Sequence, residues 1–243
     1  MQKNILAKID TKSYSYKPTG SEIGAIRNRL GKIAATETRF RDFVTAVELG
    51  KSYQPSQSTG NSAKDWAAQN LFCIDIDNTE NGEHLLFEDI QDICNNYSVR
   101  PAGIYESFSS TVSHPKFRVM FITDEIITEE NKRRDIITTL IDIFPQSDKS
   151  CKDGIRIFFG TNKKFCYVND FAKISYDNIL QIKNNLQSQK EKNAIISQDI
   201  FSYNNDLLTK IEQFDFLGFL KRNCGEINSN NNEYIQFHNC PIC

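Results

Sequence analysis

The sequence predicts an α+β fold on a β-α-β-β-α-β succession, from three observations. Strand-like and helix-like periodicities alternate in that order between residues 71 and 160. The run FCIDIDN at 72–78 puts two acids one residue apart inside an otherwise apolar strand. The stretch after 175 reads as polar helix with one apolar stripe, an addition to that core rather than part of it. A β-α-β-β-α-β order is the split βαβ arrangement, in which a four-stranded antiparallel sheet carries both helices on one face and leaves the other open.

Each element has its own reason. The first 35 residues are mixed and polar, with Pro18, Gly20 and Gly24 as turn markers and SEIGAIRNRLGKI as a short helix. From Thr36, TETRFRDFVTAVELGKS sets Phe40, Phe43, Val44 and Val47 at helical spacing and stops at Gly50. The polar SYQPSQSTGNSAKDW reads as a loop, where Lys51, Ser58, Thr59 and Lys64 are either ligand contacts or simply exposed. Then come a strand at 71–77, a helix near 85–97, strands at 102–108 and 117–123, a helix near 128–144 and a strand at 155–160. GTNKKFCYV suggests a short hairpin arm, and SQDIFSYNND a linker to a last helical segment. The expected organisation is a domain over 1–175 with an amino-terminal α/β module, a helix and linker over 176–205, and a helical segment over 206–243 ending in HNCPIC.

Composition narrows the function classes. The 243 residues are 39% hydrophobic and 25% charged, with a net charge of -2, which excludes a strongly basic nucleic-acid coat but allows a local basic groove. Seven scattered cysteines and no amino-terminal apolar run predict a reduced, cytoplasmic protein. No stretch reaches the roughly 18 apolar residues of a membrane span.

Side chains two apart on a strand share a face, so Asp75 and Asp77 lie side by side while Ile74 and Ile76 face the other way. Two adjacent carboxylates repel unless a cation or strong donor lies between them. The same alternation brings Arg118 and Arg156 to the acids' face; alone, each arginine reads equally well as a solvated strand residue. Paired acids with a third acid can hold two divalent ions about 3.5 to 4 Å apart for phosphoryl transfer. The third acid is Asp148 or Asp153, with Asp148 preferred. Arginines suit the anionic oxygens of a triphosphate or a nucleic-acid backbone.

The succession CIDIDN, YESFSSTVSHPKFRVMF and DKSCKDGIRIFFG resembles the three-motif core of archaeo-eukaryotic primases, in the primase-polymerase branch of bacterial plasmids, phages and other mobile elements. The resemblance spans roughly residues 40–170. It implies a catalytic core of RNA-recognition-motif (RRM) type. Asp75, Asp77 and Asp148 would be catalytic ligands of Mg²⁺ or Mn²⁺. Ser107, Ser109, His114 and Lys116 would contact the nucleotide, and Arg118 and Arg156 its phosphates. The family's second motif usually reads Ser-x-His. Here SFSS has serine at the histidine position, so either His114 swings back from its loop or Ser109, Ser110 and Lys116 bind phosphate instead. As a loop residue beside Pro115, His114 has an equally bland reading. The implied activity is template-dependent nucleotidyl transfer that makes or extends primers, with single-stranded DNA, nucleoside triphosphates and a replicative helicase as partners. The rivals are a non-catalytic nucleic-acid-binding module of the same topology, a divalent-dependent nuclease and a nucleotide cyclase.

CPIC is half of a zinc ribbon. Cys240 and Cys243, with His238 and Cys224, close a Zn²⁺ site, or await ligands beyond residue 243, or stay unfilled. Cys73, Cys94 and Cys166 read as core residues.

Overall fold

A computed structural model describes residues 4–78, 84–215, 218–219, 222, 227–230 and 235–237. Among these residues the fold is mixed α+β, with antiparallel sheets and five α-helices. It divides into a unit over 1–187 and a unit over 188–243.

The first unit opens with β1 (Asn4–Ser13), α1 (Ser21–Gly31), β2 (Thr36–Arg39), α2 (Phe40–Glu48) and β3 (Lys51–Gln54). β1 sits between β2 and β3, antiparallel to both. The spacing of Phe40, Phe43, Val44 and Val47 holds: all four are buried on one stripe of α2. Gly50 ends that region with φ 80°, and a Cβ there would lie 1.7 Å from the Tyr14 carbonyl oxygen, so only glycine allows this approach.

β1 was not legible in sequence because its second face carries Lys8 and Asp10, both buried. Asp10 accepts two bonds of 2.6 Å from Arg29. Among the described residues Lys8 Nζ is bonded to Ser58, its Oγ at 2.9 Å and its carbonyl at 3.3 Å. Burial without a carboxylate partner lowers the Lys8 pKa from its ordinary 10.5. Between the lowered value and 10.5 the unfolded chain holds a proton that the native chain sheds, so stability rises with pH in that window. Thermal melts of Lys8→Met should lack this rise and show a protein from unchanged to about 2 kcal/mol more stable at neutral pH; a large loss would make the ammonium essential.

The second sheet has the order β4-β5-β7-β6-β8, with β4 (Gln57–Ser58), β5 (Trp66–Asp77), β6 (Gly103–Glu106), β7 (Lys116–Ile127) and β8 (Tyr167–Val168). α3 (Phe87–Asn96) joins β5 to β6, and α4 (Glu130–Ile143) follows β7 and packs on β5 and β7. β5 is buried continuously from Gln69 through Ile74, so both sheet faces are covered there.

Three expectations are corrected. The stretch 155–160 is not a strand of this sheet; Phe158 bridges Tyr53 of β3 by two backbone bonds of 2.8 Å. The outer edge of β5 is already taken, by β4 at its start and by Gln146–Asp148 at its end. The supposed loop at 52–66 holds β4, most of β3 and a 3-10 turn at Ala63–Asp65. Cys73 and Cys94 are buried as expected, but Cys166 is exposed.

α5 (Tyr176–Glu212) runs through 197–206, read in sequence as a linker. Ile179 and Ile182 of its first turns join the core of the first unit. In the second unit β9 (Ile227–Asn230) pairs antiparallel with β10 (Ile235–Phe237). Cys224, His238, Cys240 and Cys243, the expected zinc ligands, lie outside the described residues. Among the described residues no helix is long and apolar enough to cross a membrane.

Candidate functional site

The site is a set of cross-strand rows on one face of β5, β7 and β6. Register pairs Asp75 with Arg118 and Arg118 with Tyr105; one step along, Asp77 pairs with Lys116. The acids share a face, as alternation requires. Each has a cation: Arg118 Nε lies 3.3 Å from Asp75, and Lys116 Nζ is bonded to Asp77.

Asp148 arrives by main-chain pairing. Asp77 N–H donates to the Gln146 carbonyl at 3.2 Å and Asp148 N–H to the Asp75 carbonyl at 2.8 Å, so 146–148 is zipped to the end of β5. Asp148 also caps the 3-10 turn Lys149–Lys152, accepting from Ser150 N at 2.8 Å and Ser150 Oγ at 2.7 Å. Arg156 Nη2 then lies between two carboxylates, 3.2 Å from Asp75 and 2.7 Å from Asp148. Burial opposes ionisation of Asp148, but the Ser150 and Arg156 bonds outweigh it and hold the carboxyl below its ordinary range. Asp148 is thus ionised at neutral pH. Asp153, the alternative third acid, bonds Ile155 N at 3.1 Å and points to a neighbouring cavity.

The open face is corrected in part: it is roofed over Arg118 and Tyr105, while Asp77 at the end of β5 is exposed. Tyr53 and Phe158 stack at 5.6 Å, and Tyr53 Oη meets Tyr105 Oη at 3.1 Å. Beneath them Arg118 is only 7% exposed, with Nη1 donating to Tyr105 Oη at 3.2 Å and to the Phe159 carbonyl. Burial works against its charge, yet Tyr105 and Asp75 hold the guanidinium protonated. Arg118 faces Asp75 rather than solvent. Arg156, its side chain 21% exposed, borders a cavity of about 320 Å³ with Arg27, Gln54, Asn61, Asp153 and Phe159.

Ser107 is buried and its Oγ lies 3.3 Å from Ser109 Oγ, while Ser109 is exposed. Ser107 N–H donates to the Lys116 carbonyl at 2.9 Å, which keeps the serine motif beside the Lys116–Asp77 row. Ser110 Oγ accepts from Lys116 N at 3.0 Å. His114 stays in its loop, with Nδ1 3.1 Å from Ser113 Oγ. The structure therefore gathers Asp75, Asp148, Arg118 and Arg156 at one point and Asp77, Lys116 and the serines alongside.

Carboxylate oxygens suit Mg²⁺ or Mn²⁺. Asp75 and Asp148 fit such an ion, since both already converge on one cationic nitrogen. Asp77 is turned to Lys116, and among the described residues no three His, Cys, Asp or Glu side chains group closely enough to hold one metal. Sequence reasoning missed Tyr105, Arg27 and Asn61. Tyr105 was legible, two residues before Ser107 on the same strand face; Arg27 and Asn61 come from α1 and the 58–65 turn and carried no signal.

No family model matches the chain, and no curated protein matches it in sequence. Among solved structures it is similar to the AEP domain of the cyanophage S-2L primase-polymerase (PrimPol), at TM-score 0.43 and 11% identity, over 74% of this chain and 88% of that one. A similarity of that size does not establish kinship.

Proposed function

We propose that the chain is a template-dependent nucleotidyltransferase of primase-polymerase type, with an RRM-like core, acting on single-stranded DNA and nucleoside triphosphates. The observation that carries the reading is the convergence of Asp75 and Asp148 on Arg156, at the rim of a cavity that Arg27 also borders. Asp75 and Asp148, joined by Asp77 on release from Lys116, would hold the divalent ion, which when bound activates an attacking hydroxyl and stabilises the leaving oxygen. Arg156 neutralises the two acids until then and turns to the phosphates once they are otherwise compensated. Arg118 acts through Asp75, fixing its carboxylate, and Ser107, Ser109 and Lys116 border the nucleotide. Asp148 is the third acid of choice because it is adjacent to Asp75 by main-chain pairing.

A simple binding module is disfavoured by the roof: Tyr53 and Tyr105 are fully buried, so neither ring is available to stack on a base. A nuclease would use the same acids and is separated by its product.

Arg156→Ala tests the reading. A charge-assisted bond contributes about 1.5–3 kcal/mol, so triphosphate affinity measured with Mn²⁺ should fall about 10- to 100-fold while single-stranded DNA affinity changes little. Equal weakening of both would reassign Arg156 to the nucleic acid.

A further inference from the structure

The FCIDIDN run ends in Asn78, a residue that the carboxylate site does not use. Its side chain is 2% exposed and fully engaged. Nδ2 donates to the Leu85 carbonyl at 2.9 Å and to the Pro115 carbonyl at 2.7 Å, and Oδ1 accepts from Leu85 N–H at 3.0 Å. One buried amide thus ties together the residues that follow His84 and His114. The two imidazoles are held as neighbours, with ring centroids 5.3 Å apart and planes inclined by 52°.

That spacing is informative. Two imidazoles ligating one tetrahedral ion at about 2.0–2.1 Å put their ring centres about 5 Å apart. A ligating histidine commonly has its other ring nitrogen fixed by a hydrogen bond. His114 has this arrangement: Nδ1 lies 3.1 Å from Ser113 Oγ, leaving Nε2 as the ligand atom, while its backbone N–H is anchored 3.1 Å from Thr111 Oγ1. Among the described residues no third His, Cys, Asp or Glu completes a group around the pair.

We propose that His84 and His114 form a two-imidazole site for Zn²⁺ or a similar borderline-soft divalent ion, separate from the carboxylates of Asp75 and Asp148. Donor chemistry sorts the two sites. Imidazole nitrogen favours Zn²⁺, Ni²⁺ and Cu²⁺, whereas carboxylate oxygen favours Mg²⁺ and Mn²⁺. The motif thereby has two uses: its acids face the nucleotide site, and its terminal asparagine assembles the histidine pair from two loops.

The chain has three histidines, His84, His114 and His238, so their ring signals can be followed one by one by NMR. Zn²⁺ added to the reduced full chain, without nucleotide or template, should move the His84 and His114 ring signals together, saturating at one ion for the pair. His84→Ala should abolish the shift of His114 and His114→Ala that of His84, with the melting temperature of each variant near that of the parent. Ser113→Ala, which keeps both rings, should weaken binding about 10-fold. Ring signals that ignore Zn²⁺, or a His114 signal that responds unchanged in His84→Ala, would reduce the pair to a packing contact. A response of His238 alone, with the His84 and His114 signals unmoved, would put the zinc on the carboxy-terminal cysteines only and contradict the proposal. Because no substrate is present, the result is independent of the nucleotidyltransferase reading.

Discussion

Arg118→Ala should destabilise the first unit by about 3–5 kcal/mol, the largest stability effect of any single change at the site. The guanidinium is enclosed and bridges Asp75, the Tyr105 hydroxyl and the Phe159 carbonyl. Truncation would strand all three beneath the Tyr53–Phe158 roof, with Asp75 losing one of its two cations. Arg118→Lys would not rescue it, because an ammonium is a compact charge that lacks the planar fork spanning these partners. Denaturant unfolding of the variant beside Arg156→Ala measures the contrast. Arg156 is more exposed, and among the described residues its side chain bonds the two acids and lies over the Phe158 ring, so its loss should be the smaller. If Arg118→Ala costs less than about 1 kcal/mol, the guanidinium is not bracing the face.

Asp75→Asn should abolish nucleotidyl transfer while the protein stays folded. Asparagine keeps the shape, and its one oxygen can still accept from one of the two arginines, but it removes the charge that a divalent ion needs. An ion at such a site stabilises the transition state by several kcal/mol, so about a 10³-fold loss in turnover is expected. Asp148→Asn should act in the same direction. Its effect includes a weaker cap on the 149–152 turn, because Asp148 also accepts from Ser150. Parental turnover by Asp75→Asn would remove the acids from the chemistry.

The pairing of acids and cations was legible in sequence because strand alternation is a local rule. Once 72–77 and 116–121 are strands, Asp75, Asp77 and Arg118 must share a face. Elementary electrostatics asks for positive charge at the paired acids, and each acid has its own cation rather than one between them: Arg118 and Arg156 at Asp75, Lys116 at Asp77, with Arg156 arriving from a stretch that is not a strand. What covers that face was not legible. Its roof is Tyr53, from β3, and Phe158, which the sequence pattern assigned to the sheet itself. IRIFFG alternates like a strand, but alternation names no partner, and the edge of β5 was already filled by β4 and 146–148. β1 escaped for a different reason. Buried Lys8 and Asp10 give its second face a polar signature, since each is satisfied by a partner distant in sequence, Ser58 and Arg29. The histidine pair depends on Asn78 in the same way, through one amide that joins two loops.

The most direct measurement is incubation of the full chain with single-stranded DNA, labelled nucleoside triphosphates and Mn²⁺, with and without a primer, beside Asp75→Asn. The proposed function predicts labelled polymer that depends on template and disappears in the variant; product without primer would add initiation to extension. Cleaved template, or bound template with no labelled product under any condition, would contradict it.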